Sequence, residues 1–233
     1  MINIIYLVGP SASGKDYIKK YLKESLKVEL KEEIKHRNLE FADVVYLSQC
    51  TTRLRRENEL ASDYEFMTDD QFSRNIKDNL IIESREYIMK DKNGDPFRVR
   101  YGTKLFDNIK DYKTFKENED DYNSSNIIQI GCGTIESCLQ IKEYIEKERF
   151  TSIKLIPVYI HTDEAKRLTK AIERSKDSKE TLVEVCRRFI TDTDQFTHKA
   201  IKSLGNSLMV NNHYDDIKNI IDSILVYYRI HKL

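Results

Sequence analysis

The sequence predicts an α/β fold in which a parallel central sheet is covered by helices on both faces. Three observations predict it. Short, almost continuously apolar segments alternate with helical patterns, as strands buried on both faces do. A glycine-rich turn joins the first apolar segment directly to the first helical pattern. In the middle third, strand-like segments crowd together around a single helix, which reads as a small α+β lobe inserted into the sheet's connections.

Residues 3–8 (NIIYLV) form the first strand, apolar and β-branched and ending at Gly-Pro. From residue 15 to about 35, Ile18, Leu22, Leu26 and Leu30 recur every four positions among lysines and glutamates, which is an amphipathic helix. A second strand is expected at 44–47. Short strands at 64–67, 80–83 and 97–101 surround a helix at 69–77, and Asn93-Gly94-Asp95 is a turn signal between two of them. Residues 113–125 are polar, acidic and aperiodic, so they read as a surface loop. Residues 126–130 make another buried strand, followed by Gly131-Cys132-Gly133 and a helix at 134–147. A strand at 153–160 contains Pro157, which predicts a bulge because proline cannot donate to the ladder. Helices at 163–175 and 178–191 follow, then a short strand at 208–210. The last helix carries the stripe Ile217, Ile220, Ile221, Ile224, Leu225 and Tyr228.

Composition narrows the function classes. The 233 residues suit one domain with an inserted lobe. Lys plus Arg and Asp plus Glu both number 39, so no net charge drives bulk binding to nucleic acid or an anionic membrane, and neither partner is expected. The apolar run that starts the chain stops at Gly9, too short for a membrane span and without a cleavage pattern. Cys50, Cys132, Cys138 and Cys186 are scattered without a CxxC pair, which predicts reduced, mostly buried thiols in a cytoplasmic protein. The five histidines show no zinc spacing, and no Ser-His-Asp arrangement is indicated.

Gly9-Pro10-Ser11-Ala12-Ser13-Gly14-Lys15 fits GxxxxGK and lies between the first strand and the first helix. Glycines let the backbone wrap a phosphate, successive N–H groups and the helix N-terminus supply positive potential, and Lys15 can reach the β- and γ-phosphates of ATP. These residues form the candidate ATP-binding set. The next residue is usually Ser or Thr, a Mg²⁺ ligand. Here it is Asp16, a hard oxygen donor and the candidate metal ligand. Strand, loop and helix in this order indicate a P-loop NTPase three-layer fold.

The second signal is the run from Thr51 to Phe66, TTRLRRENELASDYEF. Alone, three arginines in four residues read equally well as a solvated charge run. Together with the phosphate loop, the run resembles the guanylate kinases, whose stretch is TTRxxRxGExxGxDYxF. Arg53, Arg56, Glu59, Asp63, Tyr64 and Phe66 fall on that pattern. Ile82-Glu83 resembles the family's IE strand, and Tyr101-Gly102-Thr103 its YGT or YGS. The resemblance spans most of the chain and thins after Thr103. It implies one guanylate kinase-like domain over 1–233, with a core at about 1–50 and 104–233, an acceptor-binding lobe at about 51–103 and a helical lid at about 163–192. It also implies that Arg53, Arg56, Tyr64, Tyr101 and Thr103 bind a nucleoside monophosphate acceptor, that Glu83 accepts hydrogen bonds from the guanine edge, and that the protein is a monomer or homodimer using ATP and Mg²⁺. Arginine's planar fork suits such a phosphate acceptor.

Among the arginines of the two helices after residue 163, the resemblance points to Arg174 and Arg188 as the lid cations that join Lys15 and Arg53 in catalysis. Asp192 would orient one of the arginines.

The departures concern the base. Asn58 and Ser62 replace two glycines of the pattern, Gln49 replaces a base-reading serine, and Ile128-Gln129-Ile130-Gly131-Cys132-Gly133 replaces an acidic motif that also reads guanine. An unpaired base donor costs about 1–3 kcal/mol, so these changes bear on specificity more than on catalysis. Three readings stay open: a guanylate kinase, a kinase of the same fold with another acceptor, and a binding module without turnover.

Overall fold

The computed structural model describes residues 1–37, 41–55, 64–90, 95–119, 125–178, 182–213 and 216–231. In chain order the elements are β1 (Ile2–Val8), α1 (Lys15–Arg37), β2 (Phe41–Tyr46), β3 (Ser48–Thr51), β4 (Glu65–Phe66), α2 (Asp69–Lys77), β5 (Ile81–Lys90), β6 (Pro96–Lys104), α3 (Ile109–Glu117), β7 (Ser125–Gly133), α4 (Ile135–Glu148), β8 (Ile153–His161), α5 (Glu164–Ser178), α6 (Leu182–Gln195), α7 (His198–Lys202), β9 (Leu208–Asn211) and α8 (Ile217–His231).

β1 explains the layering. It is buried at every position, and its alternate side chains feed two different cores, as the period of two requires. Ile5 and Leu7 meet Ile18, Leu22, Leu26 and Leu30 of α1 and the Ile220, Ile221, Ile224, Leu225 and Tyr228 stripe of α8. Ile4, Tyr6 and Val8 meet Ile135, Cys138 and Ile141 of α4 and Tyr112 and Phe115 of α3. Each fully buried Leu or Ile contributes about 1.5–3 kcal/mol, so the two clusters hold the helices on opposite faces. The sheet runs β2-β7-β1-β8-β9, with every pair parallel. The α/β expectation of a parallel sheet between two helical layers holds.

A second sheet, β4-β3-β6-β5, stands beside the first. β3 and β5 pair antiparallel with β6, and β4 pairs parallel with β3. α2 is fixed by a capping box between Thr68 and Gln71 and inserts Phe72 into a small core with Cys50 and Ile81.

Several expectations need correction. β5 and β6 are longer than 80–83 and 97–101, and β3 was not expected. The distal half of the β5–β6 pair is solvated, with Ile88 68% exposed, and is held partly by ion pairs of Arg98 with Asp69 and Glu86; its polar residues hide the strand pattern. Residues 113–117, expected in a loop, are the second half of α3. That helix turns only Tyr112 and Phe115 inward, too few to show a period. The turn signal at Asn93-Gly94 lies outside the described residues. Pro157 makes no bulge. The β1–β8 register runs through it unbroken, and β9 begins to pair only at Val158, so one edge of β8 is open at the proline. Gly131 and Gly133 belong to β7 itself. A Cβ on Gly131 would lie 2.6 Å from the Tyr6 ring, and one on Gly133 would collide with the Tyr6 hydroxyl. These glycines make room for a fully buried tyrosine whose hydroxyl donates to Ser137 Oγ at 2.9 Å. The five-residue α7, without a buried side chain, also escaped the sequence pattern. Among the described residues no helix is long and apolar enough to cross a membrane.

Candidate active site

β1 is flanked by β7 on one side and β8 on the other, so the loop after Val8 emerges at the carboxyl edge of the central strands. In open α/β sheets this is where ligands bind. The loop is wound tightly. Ala12 has φ +58° and Gly14 φ +87°, left-handed positions of the kind from which anion-binding nests of backbone N–H groups are built. A Cβ on Gly9 would sit 2.7 Å from Ser13 Oγ. The loop is also bolted to the sheet's neighbours, since the Ser13 carbonyl accepts from Asn212 Nδ2 at 2.8 Å and from Thr162 Oγ1 at 3.2 Å. Lys15 Nζ folds over the loop and donates to the carbonyls of Gly9 (2.6 Å) and Pro10 (2.8 Å). Burial pushes the Lys15 ammonium below the ordinary lysine value, partly offset by nearby acidic groups including Asp16 and Asp192. Asp16 opens α1 and accepts from Cys132 Sγ at 3.5 Å. Burial and the adjacent Asp16 charge push the Cys132 thiol up to about 11, so it stays a protonated donor.

Facing the loop is one side of the second sheet. Register places Gln49 and Thr51 of β3 opposite Thr103 and Tyr101 of β6, and these opposite Glu83 and Arg85 of β5. Arg53, 8% exposed, follows β3. Its Nε donates to the Tyr101 hydroxyl at 3.1 Å, and its guanidinium lies 5.5 Å from the Tyr64 ring centre and 5.6 Å from that of Phe66. Tyr64 and Tyr101 meet edge to face. Burial pushes the Tyr64 phenol up to about 12, so it remains a donor. Glu83 is 3% exposed. It accepts from Thr103 Oγ1 at 2.6 Å and from Arg85 through Nε (3.1 Å) and Nη2 (3.3 Å).

The third wall comes from α5 and α6. Asp192 Oδ2 accepts from the Ser11 backbone N–H at 2.8 Å and from Arg167 Nη1 at 2.9 Å. Arg167 is 3% exposed and covers the Phe189 ring. Arg187 pairs with Glu184 at 2.7 Å, and Arg188 lies 3.9 Å from the same carboxylate.

The three walls enclose a cleft of about 1240 Å³. Gly9, Ser11, Lys15, Asp16, Arg53, Tyr64, Tyr101, Arg174 and Arg188 all line it. Ala12, Ser13 and Gly14 are in the loop beneath. Seven cationic side chains line the cleft against four acidic ones, so a chain without net charge carries a local site for polyanions. Two expected acceptor residues are placed differently. Glu83 and Thr103 bond to each other beneath the wall, and Arg85 lines the cleft in their place. Arg56 lies outside the described residues. Among the described residues no group of three or more His, Cys, Asp or Glu is arranged to hold a metal ion.

Sequence reading missed Arg85 and the Asp192–Ser11 bond. Arg85 had a signal, because a residue two positions after Glu83 on a strand shares its face. The Asp192–Ser11 bond joins residues 181 positions apart, and no local spacing encodes it.

No family model matches the chain, and no curated protein matches it in sequence. Among solved structures, guanylate kinase from Anaplasma phagocytophilum is similar at 15% identity and TM-score 0.50, covering 99% of this chain and 86% of that one. Shikimate kinase from Acinetobacter baumannii is similar at 14% identity and TM-score 0.42, covering 100% and 96%. The first likeness agrees with the sheet and loop described above. The chain has a guanylate kinase-like P-loop kinase fold.

Proposed function

We propose that this chain transfers the γ-phosphoryl group of ATP to a nucleoside monophosphate, GMP or a related nucleotide, giving the diphosphate. The observation that carries the reading is the single cleft lined by both the phosphate loop with Lys15 and the Arg53–Tyr101–Tyr64 cluster. Phosphoryl transfer needs two anions held in line, with their charge neutralised and water kept out. On this reading residues 1–233 form one guanylate kinase-like domain.

The roles follow from chemistry. The 9–14 backbone and Lys15 bind the donor triphosphate. On nucleotide binding, Lys15 exchanges its carbonyl partners for phosphate oxygens. Arg53 and Arg56 hold the acceptor dianion, with Tyr64 and Tyr101 donating phenolic hydrogens to it. Arg174 and Arg188 reach the transferring group when α5 and α6 close, which also excludes water. Asp16 fits Mg²⁺, which takes one or two carboxylates with phosphate oxygens and water and would neutralise charge on the phosphates.

The test is ADP release with GMP, dGMP, IMP, AMP, CMP, UMP and dTMP as acceptors, run beside Lys15→Met. The expected outcome is acceptor-dependent ADP formation that falls at least 100-fold in Lys15→Met with the fold intact. Flat signals across the panel would favour a binding module, and undiminished turnover in the variant would remove the catalytic role of Lys15.

A further inference from the structure

On the β5 side of the cleft the wall offers an arginine donor where the N1–H and 2-amino side of guanine would need an acceptor. Glu83 is the only carboxylate on the β5 side of that wall among the described residues. Both of its oxygens are in use, Oε1 by Thr103 and Arg85 and Oε2 by Arg85. Arg85 lies over it, its side chain 12% exposed against 0% for that of Glu83, and it is Arg85 that reaches the cleft. Of its five N–H bonds, two go to Glu83 and one to Thr134 Oγ1 at 3.5 Å. Two remain, one on each terminal nitrogen, and such a pair matches two adjacent acceptor atoms. Gln49 gives one of its two Nε2 hydrogens to the Cys132 carbonyl at 2.7 Å and keeps the other as a further donor in the cleft. Glu83 also neutralises the Arg85 charge, which favours an uncharged partner such as a base over a second anion. Tyr87, two positions along the same strand face, and Tyr101, opposite Arg85, flank it with aromatic surface.

We infer that Arg85, rather than Glu83, reads the far end of the acceptor, and that the acceptor is a nucleotide whose base presents two adjacent hydrogen-bond acceptors there. This rests on the kinase reading and specifies its substrate. Guanine and hypoxanthine meet the requirement through O6 and N7, and cytosine through O2 and N3. Adenine does not, because an amino donor stands beside its N7. The guanine 2-amino group is not read.

The experiment is steady-state kinetics at saturating ATP on the full chain and on Arg85→Ala and Arg85→Gln. The acceptors are GMP, IMP, 7-deaza-GMP, CMP and AMP, and melting temperatures are recorded to check folding. In the parent, GMP and IMP should agree in kcat/KM within about threefold, because they differ only in the amino group. AMP should fall at least tenfold below the best acceptor. Loss with 7-deaza-GMP assigns the purine face, and preference for CMP assigns the pyrimidine pair. Arg85→Ala uncovers Glu83, so the GMP-to-IMP ratio should rise at least fivefold while absolute kcat/KM falls, mainly through KM. A merely structural arginine would lower both acceptors equally, and that result overturns the inference. A parent enzyme preferring GMP over IMP by more than tenfold overturns it too, since Glu83 would then be reading donors. Silence with every acceptor overturns the kinase reading beneath it, an outcome distinct from turnover with the wrong preference.

Discussion

The Asp192 carboxylate accepts one bond from the Ser11 amide in the phosphate loop and another from the buried Arg167 guanidinium. The first holds α6 against the loop; the second neutralises a cation that has little access to water. Removing one partner of such a buried pair leaves an uncompensated charge, which costs about 3–5 kcal/mol. Asp192→Ala is therefore expected to lose about that much stability in urea denaturation. Asp192→Asn should lose less, because its amide oxygen still accepts from Ser11. An alanine variant as stable as the parent would show that the pair is solvated. The family resemblance pointed to Asp192 as a partner for an arginine, but not to which one, because Arg167 sits 25 positions away on another helix. Glu83 shows the same limit. Its place on the IE strand was legible, whereas its enclosure by Arg85 and Thr103 depends on how β5 and β6 lie side by side.

Elements whose pattern is set by burial were the most legible, above all β1, buried at every position, and α1, with its buried stripe of Ile18, Leu22, Leu26 and Leu30. Those set by solvent were the least, as with the outer part of β5–β6 and with α3. β7 shows a third case. Its Gly131-Cys132-Gly133 carries the local mark of a turn, yet it continues the strand, and the reason is the Tyr6 ring on the neighbouring strand. Gly131→Ala should destabilise the protein by about 1–3 kcal/mol, the usual cost of overpacking. Combined with Tyr6→Leu, the loss should be smaller than the sum of the two single losses, since the ring no longer occupies the space. Additivity within about 0.3 kcal/mol in thermal or urea unfolding would mean that Tyr6 is not the obstacle.

At the scale of the molecule, the chain has as many acidic as basic residues, yet its cleft is cationic. Folding concentrates charge there by bringing the phosphate loop, the β3–β6–β5 face and the α5–α6 pair around one space. The phosphate loop was legible as a short local spacing, and the arginine–tyrosine run of 51–66 only through its resemblance to a family pattern. Their meeting across one cleft followed from the resemblance and not from local spacing, because it depends on the order in which the strands pair. If one cleft seats donor and acceptor phosphates together, a single ligand that joins the two should fill it. Adenosine joined through five phosphates to guanosine or cytidine should bind one per chain by calorimetry, more tightly than ATP, and lose at least tenfold in affinity on either Lys15→Met or Arg53→Ala. Binding no tighter than ATP and indifferent to Arg53→Ala would contradict it.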